Sequence, residues 1–99
     1  MTQKRQKFYK LVKQISRGKV TTYGLLANKI GMRGARAIGN WLHTNPDAPN
    51  IPCHRVVNGR GKLAKNFGEG MKVQQQRLVD EGVRVVNYQV DLEKYLWKP

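Results

Sequence analysis

Three of the chain's four prolines stand at positions 46, 49 and 52, inside the run Asn45-Pro46-Asp47-Ala48-Pro49-Asn50-Ile51-Pro52. Proline has no amide hydrogen to donate and pushes the residue before it out of the helical region, so neither a helix nor a central strand can cross this run. Its Asx residues add turn preference. The run therefore predicts a rigid loop that divides the chain and delivers Cys53, the only cysteine, with His54 and Arg55 directly behind it.

Ahead of the loop the pattern is helical. Phe8, Leu11, Val12 and Ile15 recur at i, i+3, i+4 and i+7, one buried stripe, while Lys4, Arg5, Lys7, Lys10 and Lys13 lie largely off it. Gly18 suits the left-handed residue after a helix. Thr21 and Thr22 are natural caps for a second helix over about Tyr23 to Ile30, burying Leu25, Leu26 and Ile30 and stopping at Gly31. A third helix is predicted over Gly34 to His43, with Ile38, Trp41 and Leu42 facing a core. Two short helices joined by a glycine turn read as a helix-turn-helix. Gly34, Ala35, Ala37 and Gly39 leave part of the third helix nearly bare. Close approach of a DNA groove and tight packing against neighbouring helices both fit that surface.

Beyond Cys53, Val56-Val57, the turn Asn58-Gly59-Arg60-Gly61 and Lys62-Leu63-Ala64 predict a small hairpin, Asn-Gly being a strong turn signal. Its basic tip, with Arg60, makes it a candidate wing. Asn66 to Gly70 lacks the spacing of a phosphate-binding loop. A fourth helix over Met71 to Glu81 should bury Met71, Leu78 and Val79 and end at Gly82. Val83 to Val90 has strand character, and Asp91 to Trp97 reads as a capped helical turn pinning the C-terminus to the core. The fold class is mainly α with a small β-hairpin, a winged helix-turn-helix in a single domain over residues 1–99.

Charge narrows the partners. The formal net charge is +13, and residues 1–46 hold ten Lys and Arg with no Asp or Glu. Such a field favours a polyanion, nucleic acid ahead of an acidic membrane or protein. One cysteine forms no intrachain disulfide, and Cys53, His43 and His54 are a poor metal-ligand set, so neither metal nor cofactor is expected. No apolar run approaches the roughly 18 residues of a membrane span, and no signal core follows the N-terminal lysines. The expectation is an intracellular monomer.

A free thiol is mostly protonated at neutral pH and needs a base or positive potential to react as thiolate. His54 and Arg55 are adjacent in sequence, and Glu81 at the end of the fourth helix is the candidate carboxylate to orient the imidazole. On local sequence alone, the commoner fate of a Cys-His dipeptide is a small buried hydrophobe beside a hydrogen-bonded core histidine.

Pro52-Cys53-His54-Arg55-Val56 resembles the active-site signature of the O6-alkylguanine-DNA alkyltransferases. The resemblance extends in order through Gly18-Lys19-Val20-Thr21-Thr22-Tyr23-Gly24, Ala35-Arg36-Ala37-Ile38-Gly39, Asn45-Pro46, Asn58 to Leu63 and Glu81-Gly82-Val83. It implies a protein that enters the minor groove of duplex DNA, flips O6-alkylguanine and transfers the alkyl group irreversibly to Cys53. In that comparison Arg36 is an intercalating finger on a recognition helix carrying Ala35, Ala37 and Gly39. Tyr23 contacts phosphate and donates to guanine N3, and Asn45 braces the active-site loop. Backbone groups at Cys53, Val56 and Gly68 read the guanine edge, and His54, Glu81 and a water deliver the thiolate. The family's N-terminal domain has no counterpart here, which implies a minimal form. In that respect the chain also resembles the alkyltransferase-like proteins, which carry tryptophan or alanine in place of the cysteine and flag lesions for excision-repair proteins. Asn40-Trp41 and Phe67-Gly68 depart from the usual family pattern.

Overall fold

The computed structural model describes residues 3–33, 36–65 and 67–99. Its elements are α1 (Gln3–Lys13), β1 (Thr21–Thr22), α2 (Tyr23–Lys29), α3 (Arg36–His43), a single 3-10 turn (Cys53–Arg55), β2 (Val56–Val57), α4 (Met71–Asp80), β3 (Val85–Val86), β4 (Gln89–Val90) and α5 (Leu92–Tyr95). The fold is mainly helical with two small two-stranded sheets, the winged-helix-like class expected.

The stripe on α1 is buried as its spacing requires, and Ile15 continues it past the helix end. Tyr9 is also buried, beside the stripe; its hydroxyl donates to the Trp41 carbonyl (2.8 Å) and accepts from Arg5 Nε (3.1 Å). This fastens α1 to α3. Thr22 caps α2 by accepting from the Leu25 amide at 3.2 Å. Leu26 and Ala27 form the buried face of α2, whereas Leu25 and Ile30 are only half-buried. The stripe of this two-turn helix is centred one residue later than its leucines suggest.

On α3, Ile38 and Leu42 are buried, and Trp41 packs against Phe8 with ring centroids 5.4 Å apart. A Cβ added at Gly39 would meet nothing within 4 Å, so packing does not require glycine there. Of the two readings of the bare helix surface, tight packing does not hold at Gly39. Gly34 and Ala35 lie outside the described residues.

The predicted hairpin over Val56 to Ala64 is corrected. Val56 and Val57 pair in parallel with Thr21 and Thr22. The Asn58 turn does form, its side chain accepting from the amides of Arg60 (2.8 Å) and Lys62 (2.9 Å) and its amide donating to the Lys62 carbonyl (3.0 Å), but among the described residues no strand beyond it pairs with β2. Both valines are buried, so this strand belongs to the interior. The antiparallel hairpin is β3–β4, turned by Asn87 and Tyr88, both at positive φ (52° and 58°). Asparagine suits that two-residue turn; a tyrosine there is uncommon. Lys62 bridges to Gln89, and the Leu63 amide donates to the Tyr88 carbonyl at 2.9 Å, so the hairpin extends the same wall.

Val79, expected in the core, is 47% exposed. The buried face of α4 is formed by Gln74 and Leu78, one turn apart, and Val79 lies about 100° around the helix from Leu78. Met71 is half-buried. The C-terminus is pinned as expected: the Val20 amide donates to Tyr95 O (2.9 Å) and the Trp97 amide to Val20 O (2.7 Å).

Gly61 sits at φ +84°, where an added Cβ would collide with the Val90 carbonyl. Left-handed strain alone costs about 1–2 kcal/mol. Gly61→Ala should therefore lower the melting temperature by roughly 10 °C or more, while Gly39→Ala should hold or raise it, since alanine is favoured over glycine by about 0.8–1 kcal/mol within a helix. Thermal unfolding followed by circular dichroism compares the two.

Candidate active site

The proline-rich loop is braced from within by Asn45. Its Nδ2 donates to Ile51 O at 2.7 Å and its Oδ1 accepts from the Asp47 amide at 2.9 Å, so one side chain ties the start of the loop to its end. The Cys53 amide then donates to Ile51 O at 2.8 Å, and the chain enters the 3-10 turn with Cys53 only 6% exposed. Burial pushes the thiol pKa up; the Asn45 amide and the Arg77 charge oppose this without overcoming it. The resting group at neutral pH is the protonated thiol.

Behind it, His54 is 3% exposed and its Nε2 lies 3.0 Å from Glu81 Oε2. Arg55 meets the same carboxylate with Nε at 2.9 Å from Oε1 and Nη2 at 2.7 Å from Oε2, while its Nη1 donates to Ile15 O at 2.8 Å. Burial would raise the Glu81 carboxyl, but hydrogen bonds from Arg55 and His54, with their charges, outweigh it and hold the pKa at about 2. Burial lowers the His54 pKa more than the Glu81 hydrogen bond raises it, leaving the imidazole neutral at pH 7. An ionised carboxylate only accepts, so the single ring proton belongs on Nε2 and the lone pair on Nδ1. Nδ1 is buried and meets no hydrogen-bonding group among the described residues. The turn thus presents a neutral imidazole whose basic nitrogen is unused.

Arg55 was read from sequence as a source of positive potential for the thiol; its guanidinium is committed to Glu81. With three residues per turn, successive side chains of the 3-10 turn point about 120° apart, so Cys53 and Arg55 face different ways.

A cleft of about 870 Å³ opens over Cys53. Tyr23, Arg36, Gly39, Cys53 and Val56 line it, so the structure brings these sequence candidates together. Burial, and then the neighbouring thiol, push the Tyr23 phenol upward, keeping it a hydrogen-bond donor. Lys62, Lys65 and Tyr88 also line the cleft and were not among the site candidates, and Phe67, noted from sequence as a departure from the family pattern, lines it too; its described lining residues include several cations and no carboxylate. Asn45, His54 and Glu81 support the floor from behind. Ala37 is half-buried on α3, and Gly68 is exposed beside the His43 carbonyl. Ala35 lies outside the described residues. Arg60 falls elsewhere, in a second groove with Arg84 and Glu93, and its carbonyl accepts from Gln89 Nε2 at 2.8 Å. Among the described residues no group of three His, Cys, Asp or Glu could hold a metal ion, and no helix is long and apolar enough to cross a membrane.

A basic winged-helix-like fold with a buried Cys-His-Arg turn beneath an acid-free cleft defines the class. Residues 3–83 match the profile of the 6-O-methylguanine DNA methyltransferase DNA-binding domain, and the chain belongs to that family. It is 39% identical to alkyltransferase-like protein 1 of Schizosaccharomyces pombe, over 94% of this chain and 93% of that protein. It is 36% identical to the methylated-DNA–protein-cysteine methyltransferase of Rattus norvegicus, over 80% of this chain but 38% of that longer protein. The crystal structure of S. pombe Atl1 in complex with damaged DNA containing O6-carboxymethylguanine superposes with a TM-score of 0.90 at 36% identity, covering 100% of this chain and 98% of that one.

The depressed Glu81 carboxyl makes stability pH-dependent. Between its ordinary value of 4.5 and about 2, the unfolded chain binds a proton that the folded one does not, so stability falls as acid is added through that window. His54 acts in the same direction, beginning below its ordinary 6.5. Denaturant unfolding between pH 7 and 3 should show this decline, and Glu81→Gln should flatten its portion below pH 4.5.

Proposed function

We propose that this protein binds duplex DNA through α3 from the minor groove, extrudes an O6-alkylguanine into the cleft and accepts the alkyl group on Cys53. The observation that carries the reading is Cys53 on the lining of the cleft, with His54 next to it in the same 3-10 turn and held at Nε2 by a Glu81 that is itself ion-paired to Arg55. Extrusion suits the chemistry because the reacting carbon lies inside the stacked duplex, out of reach of a side chain.

In the transfer, the thiol proton passes through a bridging water to His54 Nδ1, and the sulfur attacks the alkyl carbon. A carbon–sulfur bond forms as the carbon–O6 bond breaks. Tyr23 hydrogen-bonds or donates a proton to guanine N3, so that the base leaves near neutrality. The thioether is permanent, and each molecule acts once. Arg36, on the cleft rim, fills the gap left by the base. The open face of α3 around Ala37 and Gly39 admits the groove, with Ala35 assigned there from sequence. Asn45 fixes the loop, and backbone groups at Cys53, Val56 and Gly68 read the guanine edge. Arg60 is a phosphate contact outside the cleft.

A second reading is a lesion sensor that binds the same base without taking the alkyl group and recruits excision-repair proteins. Two features favour it: burial pushes the Cys53 thiol pKa up, away from the reactive thiolate, and the S. pombe alkyltransferase-like protein aligns over 93% of its length.

Incubation with duplex containing O6-methylguanine, followed by peptide mass analysis, should find one methyl group on Cys53. Lesion-selective binding with an unmodified cysteine, unchanged in Cys53→Ala, would establish the sensor instead. Equal affinity for damaged and undamaged duplex at one salt concentration would reduce the protein to a general DNA binder. Arg36→Ala should weaken lesion binding about tenfold or more while changing undamaged-duplex affinity only a few-fold; equal losses would make Arg36 a phosphate contact.

A further inference from the structure

Gln74, Arg77 and Glu81 recur at i, i+3 and i+7 along α4 and its C-terminal cap, so they share one helix face. Two of them define what that face meets. Gln74, 0% exposed, donates to the His54 and Val56 carbonyls at 3.2 and 3.1 Å and accepts from the Ala64 amide at 2.9 Å, and Glu81 holds the side chains of His54 and Arg55. Arg77 lies between them on that face. Its Nη2 donates to Glu69 Oε1 at 2.8 Å, and its guanidinium carbon sits 5.8 Å from the centroid of the Phe67 ring, which lines the cleft. Its Nη1 is buried and meets no hydrogen-bonding group among the described residues. A buried charged donor without a bond is costly, so a cation kept there calls for a role.

The geometry points to Arg77 as a positioning residue that supplies the positive charge for attack by Cys53, the part that Arg55, spent on Glu81, does not play. The inference rests on the reading of Cys53 as the alkyl acceptor. The Glu69 side chain is 51% exposed and that of Arg77 23%, so solvent screens the carboxylate more than the guanidinium and the pair leaves a net positive potential inside. Tyr23 of α2, Arg36 and His43 of α3, and Lys62 and Lys65 beyond β2 also line the cleft. The charges that bear on the thiol are those of Arg77 and Glu69: burial raises its pKa, the Asn45 hydrogen bond and then Arg77 lower it, and Glu69 adds to the rise. His54 is lowered mainly by burial, and Arg77 acts on it behind Glu81 and Arg55. The cation therefore favours the thiolate more than it opposes protonation of the base. As the thiol proton passes to His54 and the carbon–sulfur bond forms, Arg77 stabilises the charge that develops on sulfur.

The test follows alkylation of Cys53 by iodoacetamide against pH in the free protein, where the thiolate displaces iodide and the thiol proton leaves to solvent. Arg77→Met should react about tenfold more slowly near neutral pH, its profile displaced to higher pH, while Arg77→Lys stays within about threefold of the wild-type rate. Glu69→Gln, which removes the offsetting charge, should react about threefold faster. The opposite signs separate charge from support, since losing a mere strut loosens the turn, exposes the thiol and speeds both variants. An Arg77→Met variant as fast as the wild-type protein, an Arg77→Lys variant as slow as Arg77→Met, or a Glu69→Gln variant no faster than wild type overturns the proposal. Should Arg77→Met not fold, Glu69→Gln, altered at a half-exposed side chain, decides alone by the same criterion. Methyl transfer from O6-methylguanine duplex should be slowed about tenfold by Arg77→Met with lesion affinity held within about twofold, and an unchanged rate also overturns the proposal. A wild-type cysteine left unmethylated on bound lesion refutes the acceptor reading, an outcome separate from the iodoacetamide comparison, which needs no DNA.

Discussion

The Glu81 carboxylate is the point on which the rest of the structure depends. It receives Arg55 in a two-pronged ion pair and His54 through a third hydrogen bond. Arg55 also reaches the Ile15 carbonyl just past α1, and Arg17 Nη2 donates to Asp80 O at 3.2 Å. The segment just past α1, the end of α4 and the Cys-His-Arg turn thus meet at one part-buried charge cluster, with the Arg17 contact on its exposed side. Such a cluster is a weak source of net stability, but removing one partner leaves a charge stranded and costs on the order of 3–5 kcal/mol. Its larger consequence is chemical, because the ionised carboxylate fixes the His54 tautomer.

That arrangement separates two demands on the active-site turn. In the proposed transfer the thiol is kept from solvent, which raises its pKa, yet has to lose its proton when an alkyl carbon arrives. A neutral imidazole with its basic nitrogen unused reconciles them, since the base is ready while the nucleophile rests protonated. The cleft above supplies the complementary part: Arg36, Lys62 and Lys65 give a positive entrance, and Tyr23 gives a phenol that stays a donor. The loop from Asn45 to Pro52 holds the floor in place through hydrogen bonds that begin and end on Asn45.

Much of this was legible in the chain, for identifiable reasons. The stripe on α1, the Thr22 cap and the proline loop are local signals, with sequence neighbours doing the work. His54 and Glu81 could be paired because their order and surroundings match a family signature. Pairings between distant short segments were not legible: two-residue strands carry no alternation, so nothing in Val56-Val57 announced Thr21-Thr22 as its partner. The β3–β4 turn was hidden because tyrosine at positive φ runs against residue preference. Gln74 escaped notice because a glutamine within a helix reads as a solvent-facing residue, and its burial depends on three backbone groups that only the fold assembles. Arg55 was seen, but its direction could not be read from adjacency.

The most direct test of the account is the single-turnover rate of Cys53 methylation by O6-methylguanine duplex, measured against pH for the wild-type protein and Glu81→Gln. The rate should fall as acid protonates His54, and the variant should be at least tenfold slower at neutral pH with lesion affinity preserved. A variant as fast as the wild-type protein would remove the Glu81–His54 pair from the chemistry, and a wild-type cysteine left unmethylated on bound lesion would contradict the central claim that Cys53 is the acceptor.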